Sequence, residues 1–394
     1  MEAYLLDWAN LLLRWLHVIV AIAWIGSSFY FVWLDNSLKN PQDPELKEKG
    51  VGGELWAVHG GGFYNPQKYL GAPPTLPDGL HWFYWESYST WLSGFGLFSV
   101  LYLFNPKVFL IDPNVANLTP AVAVILALAF LSVGWLVYDL LCRALQKNER
   151  LLAVLVVLYV AAAAWAACHP FSGRAAFLII GAMIATIMSA NVFFWIIPGQ
   201  RKIIASMKAN QPVDPVHGRR GKQRSVHNTY FTLPVLFAML SNHYNMTYSH
   251  RYNWLVLVLI MAAGVLIRQF FILRHKGVTN FIYPGCAVAL LAGVIAWIAP
   301  APVKTAATAK EAVDIRQVQQ VMQARCIQCH AAQPTMMPTA AKGISLEGAE
   351  NIRSHAQLVY QQAVLQKSMP LGNVTKMTDE ERALIARWYE AGAK

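Results

Sequence analysis

Hydrophobic positions in this chain fall in long blocks. Largely apolar stretches occupy residues 11–34, 82–104, 120–141, 151–168, 175–197, 228–244, 253–273 and 282–299. A helix needs about 20 such residues to cross the roughly 30 Å hydrocarbon core of a bilayer, so the pattern predicts eight membrane-spanning helices. The first stretch is expected to stay in the mature protein, because Glu2 and Asp7 make its start acidic and no small-residue cleavage site follows. Beyond residue 300 the blocks end. Residues 301–311, rich in Ala, Thr and Lys, read as a linker, and helices are expected from near Ala312, Ser354 and Thr378. The predicted fold class is all-α: a polytopic helix bundle over 1–300, the linker 301–311 and a small helical domain over 312–394.

Composition agrees with this division. The chain is 56% hydrophobic and 13% charged, where a soluble domain carries roughly a quarter charged residues. The last 94 residues hold 11 basic and 8 acidic side chains, an ordinary density for a soluble unit. The net charge of +11 brings nucleic acid to mind, but no reading module accompanies it. The basic residues sort by topology instead. Alternate connections carry 16 Lys and Arg on one side and 3 on the other, which by the positive-inside rule sends the N-terminus and the C-terminal domain outward. In a Gram-negative inner membrane, that is the periplasm. Five cysteines make no disulfide framework: Cys142, Cys168 and Cys286 lie in or beside apolar runs, and only Cys326 and Cys329 are close-spaced.

Cys326-Ile327-Gln328-Cys329-His330 is the attachment pattern for a c-type haem, in which two thiols bond the porphyrin and the next residue ligates iron. A zinc site or a redox pair of cysteines is the alternative, but zinc asks for two further ligands, and besides His330 the tail offers only His355. The sixth ligand is expected from Lys367-Ser368-Met369-Pro370-Leu371-Gly372-Asn373, with Met369 the candidate. Met336 and Met337 follow the motif too closely to reach the opposite haem face, and Met377 sits at a helix boundary. His/Met ligation raises the potential, which suits an acceptor for a donor that is hard to oxidise. The C-terminal domain therefore reads as a class I cytochrome c.

Ionisable groups within spans are functional candidates by default. Arg14, His17, His169 and His243 fall toward the outer face, and His59, His81, Glu86, Arg219, Arg220, Arg224, His227 and Asn228 toward the cytoplasm. His227 and His243 lie about 24 Å apart along a helix, so one ligand cannot engage both. His17 and His243 are candidate axial ligands of a haem b, or they hydrogen-bond across helices. The segment from Glu54 to Tyr64 sets three glycines, Gly60 to Gly62, between aromatic residues. It suits the close approach and stacking of a planar polar ring, or else forms a structured re-entrant turn.

Three stretches carry a family resemblance: Trp15-Leu16-His17 through Phe31; Trp56 to Tyr69 with His59-Gly60-Gly61-Gly62-Phe63-Tyr64; and Gly221 through Asn228 on to Leu240-Ser241-Asn242-His243-Tyr244. Trp82 through Gly94 and Met188-Ser189-Ala190-Asn191 add to it. Nearly the whole chain resembles the bacterial membrane-bound urate oxidases with a C-terminal cytochrome c domain, also called urate hydroxylases. The resemblance implies oxidation of urate to 5-hydroxyisourate with electrons passing to cytochrome c and on to a respiratory-chain acceptor, without formation of hydrogen peroxide. Arg224 and Asn228 are then expected to hold the urate anion and Phe63 or Trp82 to stack on it. His227 or Glu86 would take a proton, with His59 and His81 as further candidate catalytic groups. Two other classes compete: a quinol-linked, membrane-anchored electron carrier without purine chemistry, and a transporter or sensor gated by the cytochrome.

Overall fold

The computed structural model describes residues 2–69, 71, 73, 75–299, 313–337 and 339–394. The expected linker 301–311 and Ala312 lie outside them. Helix α1 (Glu2–Ser37) is followed by the short α2 (Pro44–Glu48) and four strands, β1 (Val51–Glu54), β2 (Ala57–His59), β3 (Gly62–Tyr64) and β4 (Gln67–Tyr69). Next come α3 (Trp85–Phe98), prolonged by a π-helical turn over Ser99–Leu103, then α4 (Pro106–Phe109), α5 (Pro120–Ala144), α6 (Glu149–Ala167) and α7 (Gly173–Ala190). A second π-helical turn over Asn191–Ile196 joins α7 to α8 (Ile197–Lys208), and α9 (Pro215–Leu240), α10 (Asn245–Tyr248), α11 (Asn253–His275) and α12 (Ile282–Trp297) follow. The tail contains α13 (Ile315–Arg325), α14 (Gly348–Ser354), α15 (Ala356–Val359) and α16 (Asp379–Glu390).

Among the described residues, five helices are long and apolar enough to cross a membrane: Tyr4–Ser37, Pro120–Ala144, Glu149–Ala167, Gly173–Lys208 and Asn253–His275. The other three expected segments are also helical. They correspond to α3 with its π-helical turn, the C-terminal half of α9, whose N-terminal half is strongly basic, and the 16-residue α12. Helix α7 is the bundle's centre, with Ile179, Ile180, Met183, Ile184 and Ile187 all inaccessible. Small residues let neighbours close on it, as is common where lipid supplies no hydrophobic drive between helices. A Cβ added at Gly181 would stand 2.9 Å from Ala238 Cβ on α9. Helix α1, by contrast, exposes Leu11, Leu12, Leu16, Ile19 and Ile22, an apolar face suited to lipid.

The all-α expectation needs one amendment. Residues 51–69 form two small antiparallel pairs, β1 with β4 and β2 with β3, the inner hairpin turning through Gly60 and Gly61 at positive φ. The stretch from Glu54 to Tyr64 is thus a projecting hairpin, with Trp56 and Phe63 70% and 79% exposed.

The tail has its own core of Val318, Met322, Ile352, Ile385 and Trp388, separate from the bundle's. Asp314 caps α13, and Thr378 with Glu381 forms a capping box on α16, each satisfying amide groups that a helix start leaves unpaired. The expected start near Ser354 is instead a junction, since α14 ends there and α15 begins two residues later. Arg325 Nε donates to both oxygens of Glu381 at 2.9 and 3.0 Å, tying α13 to α16. Gly372 rests on the α4 turn, where an added Cβ would come within 3.3 Å of the Ile111 carbonyl oxygen.

Gly181→Leu should destabilise the bundle by about 1–3 kcal/mol through overpacking. Thermal unfolding in detergent checks this, and an unchanged midpoint would show that α7 and α9 can separate freely.

Candidate functional site

A cavity of about 900 Å3 opens among α1, α3, the second π-helical turn, α8, α9 and α11. Its wall is amphipathic. Trp24, Phe31, Trp82 and Phe83 supply flat apolar surface, Ser28, Ser225, Thr229 and Thr232 supply hydroxyls, and Glu86 in the first turn of α3 supplies a carboxylate. Of the expected site residues the cavity gathers Glu86, His81 and Asn228. His81 is exposed and packs edge-on against Phe83 at 4.6 Å. Trp82 lies under the Arg201 guanidinium, 5.9 Å away.

Arg224 and His227 belong to a neighbouring polar cluster and do not line the cavity. Arg224, 2% exposed, donates from Nη2 to Asp139 Oδ1 at 2.6 Å and lies 5.0 Å from the ring centroids of both Tyr138 and Trp195. The same carboxylate accepts Trp195 Nε1 at 2.7 Å and Arg143 Nε at 2.6 Å. Asp139 and Arg143 are four residues apart on α5, the favourable order for a helical ion pair. Arg224 is thus engaged by an acid that it shares with Arg143, and lies apart from the cavity lining.

Asn228 joins the two regions. Its Nδ2 donates to the Met188 carbonyl at 3.0 Å, and its Oδ1 accepts Asn191 Nδ2 at 2.9 Å. Asn191 Nδ2 also donates to the Tyr138 hydroxyl at 3.0 Å, and that hydroxyl lies 2.8 Å from His227 Nδ1. With the amide donating to it, the Tyr138 oxygen is free to give its own proton to His227 Nδ1, leaving the imidazole proton on Nε2. Sequence reading passed over Tyr138, Asp139, Trp195 and Arg268. The signal for Asp139 and Arg268 was present as single charges inside apolar runs, whereas nothing local marks Tyr138 or Trp195.

The remaining candidates stand apart. His59 is exposed at the hairpin beside Gly60, and Phe63 projects away from the cavity wall. His17 Nδ1 lies 3.1 Å from both the Thr90 carbonyl and Ser93 Oγ, and its ring is so close to Gly94 that an added Cβ would stand 2.7 Å from Cε1. His243 is exposed in a short 3-10 turn after α9. No contact between His17 and His243 occurs among the described residues.

In the tail, the Cys326 and Cys329 thiols are unbridged. The His330 amide donates to the Cys326 carbonyl at 2.9 Å, and His330 Nδ1 lies 3.1 Å from the Ile344 carbonyl. That bond orients the ring and leaves Nε2 free to ligate, an arrangement common for metal-bound histidines. Met369 is held through its backbone, its amide donating to the Gln362 carbonyl at 3.0 Å and its carbonyl accepting Arg382 Nη1 at 2.8 Å. Among the described residues no three His, Cys, Asp or Glu side chains converge to hold a bare metal ion. These donors fit a covalently attached haem with His330 as its anchored ligand.

The family described as Urate oxidase N-terminal matches residues 3–299. The match covers well over half of the chain, which therefore belongs to that family. No curated protein and no solved structure matches it.

Asp139→Ala would leave the Arg224 guanidinium buried without its acid and should destabilise the protein by about 3–5 kcal/mol. Adding Arg224→Met should restore most of that loss. Unfolding of the three purified proteins tests the pair, and a single variant as stable as the parent would show that it contributes nothing.

Proposed function

We propose that this member of the Urate oxidase N-terminal family is a membrane-bound urate oxidase. In this reading it crosses the bacterial inner membrane eight times, oxidises urate in the cavity beside Glu86 and Asn228, and delivers electrons to a periplasmic cytochrome c domain formed by 312–394. One observation carries the reading: the matched segment 3–299 contains every residue lining the cavity, while the haem-attachment pattern lies outside it. The basic connections, 16 against 3, support the orientation.

The reaction balances as urate plus water giving 5-hydroxyisourate, two protons and two electrons. Asn228 presents a cavity-lining amide to the ring's polar edge, and Trp82 offers a face for stacking. Glu86 forms no salt bridge among the described residues, so its carboxylate is free to take a proton from the ring as electrons leave. Cys326, Cys329, His330 and Met369 would hold the c-type haem, which supplies a one-electron acceptor when bound, so each turnover needs two transfers. The contact of Gly372 with the carbonyls of Val108 and Ile111 brings the Met369 segment onto the bundle, where electrons would arrive. No step is assigned to a haem b at His17 and His243.

Anaerobic addition of urate to the purified protein should reduce its c-type absorption band, and dithionite should add little more. A band that responds to dithionite but not to urate would overturn the reading and favour the quinol-linked carrier. Glu86→Gln should lower kcat by about 10²-fold or more while leaving the dithionite-reduced spectrum unchanged. Replacing both Cys326 and Cys329 with Ser should abolish covalent haem on denaturing gels.

A further inference from the structure

The cavity is graded from a buried floor to a charged rim. Met188, Asn228, Thr229 and Thr232 form the floor, none of them more than 9% exposed. Lys68, Lys222 and Lys276 border the same cavity and are exposed. Between them stands Asp35, also on the lining, which pairs with Lys222 at 3.1 Å and with Lys68. Lys276 forms no salt bridge among the described residues. Three lysines thus face one carboxylate, and the rim keeps an excess of positive charge.

Three helices set that rim at one end of the bundle. On α9 the lining positions Lys222, Ser225, Thr229 and Thr232 follow one helical stripe and descend about 15 Å from rim to floor. On α11, Ile272 precedes Lys276 by one turn, and on α1 the lining runs from Trp24 out to Asp35. The rim therefore joins the C-terminal ends of α1 and α11 to the N-terminal half of α9. Glu86 lies deeper, because α3 runs antiparallel to α1, with Thr90 beside His17 and Phe83 beside Phe31. The tail with the haem-attachment pattern touches the other end. Gly372 rests against the carbonyls of Val108 and Ile111, in and just after α4, and α3 with its π-helical turn climbs about 26 Å from Glu86 to Leu103 before reaching α4.

We propose that the cavity is entered from the end opposite the haem-binding tail, and that Lys68, Lys222 and Lys276 form a collar that gathers a planar heterocyclic anion there. All three belong to the 16 basic residues of one face, so the anion arrives from the cytoplasm and its electrons leave on the other side. This rests on the urate reading and adds the route, urate being a monoanion at neutral pH. An opening lined by one sign of charge focuses the field and raises encounter rates by about 10 to 10³-fold. Lysine suits collecting better than holding, since its ammonium is a hydrated point charge on a flexible stem. Asp35 fixes Lys68 of β4 and Lys222 of α9 at the opening.

The test uses full-length, haem-loaded protein under anaerobic conditions. In sealed liposomes carrying both orientations, external urate should at once reduce only the haem that external protease cannot reach, and the rest after permeabilisation. In detergent at low ionic strength, Lys276→Glu should lower the second-order rate constant of haem reduction by urate about tenfold. The limiting rate at saturating urate should stay within about threefold. The difference should shrink in about 1 M salt, where the Debye length falls to about 3 Å. Asp35→Asn should raise the same constant, and Lys276→Gln, the milder change, should lower it about threefold. Lysines that serve topology alone would leave it unmoved. The proposal is overturned if urate first reduces the protease-accessible haem, or if both Lys276 variants react like the parent at low salt. If the solubilised parent is not reduced by urate at all, the urate reading itself fails, and that result precedes any variant or liposome.

Discussion

The buried carboxylate of Asp139 is the point on which this end of the bundle depends. It accepts from Arg224 on α9, Arg143 on its own helix and Trp195 on the π-helical turn, all between 2.6 and 2.7 Å. Taking a carboxylate and a guanidinium out of water is expensive, and the pair holds only because both oxygens are satisfied. The bond also sets how α9 is rotated. Arg224 and Asn228 are four residues apart and so share a face, and engaging Arg224 with Asp139 leaves Asn228 where it can reach Asn191 while still bordering the cavity.

The π-helical turn over Asn191–Ile196 is the second device. Such turns occur in single short pieces and often at functional sites. Here the turn supplies Asn191 to the amide and hydroxyl network and Trp195 to the cation cluster, where Arg143, Arg220 and Arg224 lie within 4.9 to 5.7 Å of the indole ring. The cluster gathers charge at one end of the bundle. One anionic side chain and one aromatic face together organise three arginines, which explains how so basic a patch can pack.

Arg224 and Arg268 show that equally buried charges can have very different surroundings. Both are nearly inaccessible, at 2% and 4% exposure. One has an acid at 2.6 Å and stabilises the fold, while the other has an aromatic ring and unused donors. A buried charge of the second kind costs stability that a paired one does not.

Much of the architecture was legible in the chain because it is written locally. Each apolar run carries its own helix, the capping box at Thr378 and Glu381 lies within four residues, and the pattern from Cys326 to His330 is contiguous. The hairpin was less legible, since a Gly-rich aromatic segment is compatible with either a buried turn or an exposed one, and only its surroundings left Phe63 projecting. Of the candidate site residues, Glu86, His81 and Asn228 line one cavity, a juxtaposition that no local pattern announces, while Arg224 and His227 meet Asp139 and Tyr138, 85 and 89 residues away. Which charge finds a partner depends on which residues of other helices stand at the same depth. Sequence therefore determined where the apolar helices and the Cys326–His330 pattern lie, and the packing of α5, α9 and α11 alone decided that Arg224 is paired and that Arg268 has no partner among the described residues.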